Sequence, residues 1–491
     1  MKATTHQQLL DIQQSVGLVT AEWLLLVGII LLLGVSLVRK SAGKLSYLVA
    51  AGVVVASAAA TLFTWPHEPQ NLFNGAFTQS SFASYFKMLA SAGTLLTLFI
   101  DHTRKRGAEY YLLVLSVLLG THLLLMSSNF IVLLLSLELI SLPSYVLATG
   151  LAPGKRNAEA AWKYFLYGSA STAIMIFGIS YLFGLTGSLD FTTTAFAEGL
   201  VNQASPLFWI GGLLTLAGFL FKIAAAPFHF WAPDVYEASP TPLVAFFSVV
   251  PKLAGVGTLA RFVVSLQLFG QSPVDWSLIV GCIALLSLVV GNLGALAQTN
   301  IKRMMAYSSI AQAGMLLAVV ATHSPEGYRM TLFYASILVL MNFLAFLGIR
   351  QVEDAFVTTD FKALAGKGVS LLFPSVCLTL GLVSLVGLPP TAGFMAKLFV
   401  FTALWQKFRE TEQIFYAFLF GVGLLTTVTS LFFYLKLPYA LFIQKAAAGN
   451  VPKQSSLAAN LLALILVIML LYLFFHPGLL MGWVNKVNFV L

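Results

Sequence analysis

Charge is scarce in this chain. Only 9% of its 491 residues are Asp, Glu, Lys or Arg, against about 25% in soluble domains. Its apolar residues, 59% of the total, gather in many separate long runs. That pattern excludes a soluble enzyme with one large core and leaves almost no aqueous domain. Cysteine is nearly absent as well. Cys282 and Cys377 are the only two, both inside apolar stretches. Two thiols form neither a disulfide framework nor a CxxC pair, and an iron–sulfur cluster needs about four. There is no GxGxxG fingerprint, no Walker loop and no HExxH helix, hence no nucleotide or zinc motif. Any redox cofactor the protein works with is expected in another chain. Met1–Thr20 lacks the charged, apolar and small-residue order of a signal peptide.

What is present is membrane-spanning sequence. A helix crosses a bilayer with about 20 apolar residues, and that length predicts about fourteen spans. They lie near 22–38, 45–65, 82–100, 110–127, 129–150, 158–184, 207–230, 241–263, 276–298, 301–322, 328–350, 371–404, 414–436 and 457–476. Ser127-Ser128-Asn129 must make a tight turn between the fourth and fifth. The predicted fold is an all-α integral membrane protein. Basic residues cluster in alternate loops: Arg39, Lys40 and Lys44; Arg104, Lys105 and Arg106; Lys155 and Arg156; Lys302 and Arg303; Arg350, Lys362 and Lys367; Lys436, Lys445 and Lys453. By the positive-inside rule those loops face the cytoplasm and both termini face out. The formal charge of +9 therefore encodes topology, and a nucleic-acid partner is not expected.

Two spans are interrupted. The seventh carries Pro227 shortly after Lys222, and the twelfth carries "GLPPTAGFMAKLFVF", Gly387 to Phe401. Broken helices at membrane depth are tolerated where they line a cavity or are buried in protein. A pair of them in separate halves of a chain points to inverted repeats around a midplane site. Four ionisable residues sit deep in spans: Glu138, Lys222, Lys252 and Lys397. Each costs about 2.5–3.5 kcal/mol on insertion scales. Serine or asparagine would meet a structural need at lower cost, so transport is the expected reason. A lysine held away from water releases its proton more readily, and a neighbouring carboxylate restores it. Three lysines and one glutamate thus suit a proton relay. Sodium would call for more carboxylates and carbonyls. Other ionisable residues have simpler readings. Lys87, near a span end, is expected to snorkel to the headgroups. Lys163, close to the start of the sixth span, either snorkels or joins the path. His229 caps a broken helix end or takes part, and His122 is expected to hydrogen-bond between helices.

Several segments resemble a known family. "PFHFWAPDVYE" (Pro227–Glu237), "TNIKRMMAYSSIAQAG" (Thr299–Gly314) and "GLPPTAGFMAKL" (Gly387–Leu398) are similar to the antiporter-like subunits of respiratory complex I. "LELISLPSYVLA" and "EAAWKYFLYGSAST" add to the likeness, which runs from the third span to the thirteenth. The resemblance implies an antiporter-like fold of fourteen transmembrane helices, with helices 4–8 and 9–13 as inverted repeats and helices 7 and 12 broken. The corresponding segments are 1–106, 107–265, 266–440 and 441–491. It implies proton translocation driven by quinone reduction in neighbouring subunits, with FMN, iron–sulfur clusters and quinone held there and none here. The partners implied are the other antiporter-like and small membrane subunits, in a bacterial inner membrane. Carried over by motif, Glu138, Lys222, Lys252 and Lys397 form the relay, with Lys163, His229 and Tyr307 as polar members. Gln312 stands where histidine is common in the family, and Met315 where tyrosine is, which removes a protonatable group from the tenth helix. Two rivals share parts of this pattern: a subunit of a multisubunit sodium/proton antiporter, and a passive membrane scaffold.

Overall fold

The computed structural model describes residues 12–38, 43–102, 106–150, 155–202, 206–267, 275–445 and 456–489. Residues 1–11 and the loop residues Arg39, Lys40, Arg104, Lys105 and Lys453 lie outside them. Among the described residues fourteen helices are long and apolar enough to cross a membrane. In chain order the helices are α1 (Thr20–Val38), α2 (Gly43–Phe63), α3 (Ser81–Asp101), α4 (Ala108–Met126), α5 (Phe130–Ala148), α6 (Lys155–Thr186), α7 (Thr194–Asn202), α8 (Pro206–Ile223) and α9 (Trp231–Ala238). Then come α10 (Thr241–Leu266), α11 (Trp276–Leu296), α12 (Ile301–Val320), α13 (Pro325–Phe356), α14 (Leu372–Val386), α15 (Ala392–Thr411), α16 (Ile414–Phe442), α17 (Leu457–Phe475) and α18 (Pro477–Val484). One small hairpin interrupts the helices, with β1 (Gln70–Leu72) antiparallel to β2 (Phe77–Gln79). The expected spans are all present. The seventh stops at Ile223 and resumes as the short α9, and the overlong twelfth divides into α14 and α15.

The chain forms two compact units. The first comprises Met1–Ile223, Val250–Trp276 and Val487–Leu491. Its fourth and fifth spans are joined by the tight turn that the sequence requires. Asn129 caps α5 by accepting from Ile131 N at 2.9 Å, which satisfies one orphan helix donor. The turn is tied to the next loop by two backbone bonds, Phe130 N to Leu189 O at 2.9 Å and Phe191 N to Ser128 O at 3.1 Å. Helices α6 and α8 approach closely at Gly178. A Cβ there would lie 2.5 Å from Thr215 N and 2.7 Å from Gly211 O, so only glycine fits.

The second unit comprises Ala224–Val249 and Ser277–Lys486. Asn300 caps α12 by accepting from Lys302 N and Arg303 N. Ser324 caps α13, with Pro325 at its first position, where the missing N–H costs nothing. The α12 start is tied to a later loop by Ile301 N to Thr359 O at 2.9 Å and Phe361 N to Thr299 O at 3.1 Å. Helix α14 ends on Gly387, whose φ of +84° is left-handed. Its N–H returns to Ser384 O and Val383 O, as a glycine C-cap does.

Candidate functional site

Lys222 lies in the last turn of α8 and is only 3% exposed. Snorkelling is therefore ruled out for it. Its Nζ donates to Ser141 Oγ at 3.1 Å, and Ser141 in turn donates to Leu137 O. Glu138, half-buried one turn earlier on α5, accepts from Thr172 Oγ1 at 2.8 Å. Its charge acts on the Lys222 ammonium. On the other side, the Lys222 stem lies against α10. A Cβ built on Gly255 would sit 3.6 Å from its Cβ and Cγ. Lys252 occupies the same helix, three residues earlier, and is 4% exposed. The first unit thus brings Glu138, Lys222 and the Lys252 stretch of α10 together.

In the second unit Lys397 is 6% exposed. It lies on α15 and reaches back across the break, donating to Val386 O at 2.7 Å. It also lines a cavity of about 10 Å³, the space of about one water molecule. Gln312, Ser430 and Tyr434 share that cavity, with Asn292 and Thr427. Asn292 Oδ1 and Thr427 Oγ1 are buried without a hydrogen-bond partner, so the walls offer a water two waiting polar atoms. Gln312 does not titrate, yet it is embedded in a polar network. It accepts from the Tyr334 hydroxyl and donates to Tyr434 Oη at 3.3 Å and Leu385 O at 3.4 Å. Tyr434 shares a further short hydrogen bond with Ser308.

The remaining candidates are placed differently. Lys163 pairs with Glu159 at 2.8 Å across one turn of α6, and its side chain is 41% exposed. His229 is buried in the broken segment before α9, with its ring 4.3 Å from that of Phe230. Tyr307 is half-buried and packs against α11, where a Cβ on Gly294 would collide with its ring at 2.3 Å.

One expectation is overturned. Lys87 does not snorkel: it is fully buried, pairs with Glu22 at 2.9 Å and donates to Gln79 at 3.0 Å. The carboxylate partner makes the interior tolerable for the ammonium. His122 does bridge helices as expected. Its Nδ1 is 3.1 Å from Glu22 Oε1 and its Nε2 is 3.3 Å from Ser91 Oγ. Glu22 was missed because it stands at the edge of the first apolar run. The available signal was an acidic residue entering a span whose neighbours carry an internal lysine and histidine.

A membrane protein that keeps a carboxylate and several ammonium groups inside its spans is built to handle ions or protons. Residues 127–427 match the family model described as NADH:quinone oxidoreductase/Mrp antiporter, TM, and the chain belongs to that family. Among its relatives, NADH-quinone oxidoreductase subunit N of Chlorobium chlorochromatii is 36% identical over 487 residues, covering 95% of this chain and 94% of the relative. NAD(P)H-quinone oxidoreductase subunit 2 of Gloeobacter violaceus is 34% identical over 476 residues, covering 94% and 90%. A chain of respiratory complex I from Thermus thermophilus with bound aureothin superposes with a TM-score of 0.80 at 30% identity, covering 95% of this chain and all of that one. A chain of the Mrp complex from Dietzia sp. shares the fold, with a TM-score of 0.83 at 19% identity and 96% of each chain covered.

Proposed function

We propose that this chain is a proton-translocating membrane-arm subunit of NADH:quinone oxidoreductase. The observation that carries the reading is the Lys222 environment. A buried ammonium faces one serine hydroxyl and the field of one carboxylate, and it stands at a helix break. The apolar interior and the Glu138 carboxylate both act on that ammonium. The balance between them changes when a charge moves nearby, so the site can load and release. Lys252, on the helix that packs against the Lys222 stem, is the receiver. Lys397, with its one-water cavity, serves the second unit in the same way. His229 and Tyr307 are further polar members of the path, and Lys163, paired with Glu159, lies at its entry. Quinone reduction, with FMN and iron–sulfur clusters, takes place in partner subunits of the complex. The membrane is the bacterial inner membrane, with both termini on its outer side.

Lys222→Met tests this in the assembled complex, reconstituted into tight vesicles. Methionine keeps the length and removes the charge. Loss of most proton ejection per electron is expected, with slower electron flow if coupling is strict. Unchanged pH-gradient formation per electron would mean that no relay runs through Lys222. A scaffold predicts full activity and greater stability, because a desolvated charge has gone. The sodium-antiporter reading is separated by repeating the wild-type measurement without sodium, where a proton relay keeps its rate.

A further inference from the structure

Toward the end where α8 begins and α10 ends, the groups beyond Lys222 are not polar. Phe219 lies one turn before Lys222 on α8. Its ring stacks on Phe262 of α10, with centroids 5.5 Å apart. Phe262 meets Phe191 at 6.0 Å and Phe130 at 6.1 Å. Phe130 continues to Phe191 at 5.2 Å and to Phe196 at 5.7 Å. All five rings are completely buried. They belong to five separate segments: the start of α5, the loop before α7, α7 itself, and the facing sides of α8 and α10. The backbone bonds around Phe130 and Phe191 fix the outer rings of this column.

Beside the column stands a buried positive charge. Arg261, the residue before Phe262, is 1% exposed. Its Nη1 donates to Leu125 O and Ser127 O, both at 2.9 Å, and its Nη2 to Ser128 Oγ at 3.3 Å. Thr258 donates to Leu124 O at 2.9 Å, so α10 caps the carbonyl end of α4. Carbonyls orient the guanidinium but do not neutralise it. Among the described residues no carboxylate pairs with it. Guanidinium stays protonated in proteins, so this positive charge is fixed.

We propose that the five rings and the fixed charge of Arg261 form a proton seal, closing the direct route from Lys222 along α8 and α10 to that face. The inference rests on the relay reading of Lys222. A proton moves through water or hydrogen-bonding side chains, and a column of phenylalanine supplies neither; apolar constrictions of this kind exclude water. Arg261 adds an electrostatic barrier. A proton at the level of Phe262 would lie about 10 Å from it, the width of a helix. At an effective dielectric of about 20 that disfavours the proton by about tenfold. A proton on Lys222 is thereby left to continue through the relay.

The test is passive leak, measured at rest. The assembled complex is reconstituted into vesicles holding a pH-sensitive dye, a pH gradient is imposed, and no electron donor is supplied. Phe262→Ser is expected to raise the leak clearly above wild type, and Phe262→Leu to stay as tight as wild type. Adding Lys222→Met to Phe262→Ser should restore tightness, because the leak runs through that lysine. Arg261→Gln should leak about tenfold more than wild type and Arg261→Lys should not. An assembled Phe262→Ser that is as tight as wild type overturns the seal. A Phe262→Ser leak that survives Lys222→Met overturns it too, since the route then bypasses the relay. If Phe262→Ser does not assemble, the arginine pair decides: equal leak in Arg261→Gln and Arg261→Lys overturns the charge barrier. The relay reading fails instead on pumping during turnover in Lys222→Met, so either idea can fall while the other stands.

Discussion

Lys222 and Glu138 do not act alone, and the side chains around them set how far each can be moved. Thr172 holds one carboxylate oxygen of Glu138, and Ser141 holds the ammonium. Both are small hydroxyls, visible in the sequence but unremarkable there among many serines and threonines. The lysines were legible because an ammonium deep in an apolar run is costly and needs a reason. Their hydroxyl partners were not, because a buried serine can equally bond its own helix, as Ser144 does to Ile140 O. Lys87 shows the converse error. Its place near the start of α3 was readable but its burial was not, because the carboxylate that holds it comes from α1, 65 residues earlier in the sequence. Glu138→Gln removes a charge and keeps the shape. A neighbouring carboxylate tunes how an ammonium holds its proton, so proton pumping is expected to fall by about tenfold or more. Assembly should stay intact. Thr172→Val should show a smaller loss, because it frees the carboxylate without removing it. Wild-type rates of pumping and quinone reduction in Glu138→Gln would remove it from the relay.

The two breaks follow one plan that the sequence hides. Helix α8 ends at Ile223 and is followed by Ala224, with φ of +54°; α14 ends at Val386 and is followed by Gly387, with φ of +84°. A proline stands three residues after each left-handed residue, Pro227 and Pro390. The lysines confuse any alignment, since Lys222 precedes its break and Lys397 follows the other. Both lysines nevertheless belong to the end of the half-helix before the break. Lys222 is in the last turn of α8, and Lys397 Nζ reaches back to Val386, the last residue of α14. Unpaired carbonyls at a helix C-terminus favour a cation, which is what the end of α14 offers Lys397. The capped starts of α5 and α12 repeat in the same way. Asn129 and Asn300 each precede a helix tied to a later loop by a pair of backbone bonds. These parallels support reading helices 4–8 and 9–13 as repeats. Gly387 is where the plan is least tolerant. A Cβ there would approach Lys397 Cδ to 2.8 Å, and a left-handed conformation costs a non-glycine residue roughly 1–2 kcal/mol. Gly387→Ala is therefore expected to push the Lys397 ammonium off the helix end. Proton ejection per electron should drop while the complex still assembles with a modest loss of thermal stability. Pumping at the wild-type level would show that Lys397 does not depend on this seat.

At the scale of the molecule the span count was legible because bilayer thickness sets helix length. How the spans group was not. The C-terminal residues return to the first unit: Asn488 N donates to Ser81 Oγ at 2.9 Å, and Phe489 packs its ring 4.6 Å from that of Phe82. Contacts across some 400 residues leave no local mark in a sequence. Orientation, by contrast, is an expectation that rests on charge alone. Lys44, Arg106, Lys302, Arg303, Lys362, Lys367 and Lys436 fall in or beside alternate loops, although several are paired, as Arg106 is with Asp101 at 2.8 Å and Arg303 with Asp234 at 2.7 Å. The rule counts lysine and arginine and gives little weight to nearby carboxylates, so these pairs do not reverse it. The β1–β2 hairpin should then face outward and the 358–367 loop inward. That assignment can be read chemically. In a Cys282→Ala background, which removes the exposed native thiol, single cysteines are placed at Asn74 of the hairpin and Ala363 of the loop, both exposed. A membrane-impermeant maleimide should label Asn74→Cys in right-side-out vesicles and Ala363→Cys only in inverted ones. The reverse pattern would turn the molecule over. The phenylalanine column would then close the cytoplasmic route from Lys222 instead of the outer one, and loading of the first unit would have to begin from the opposite side.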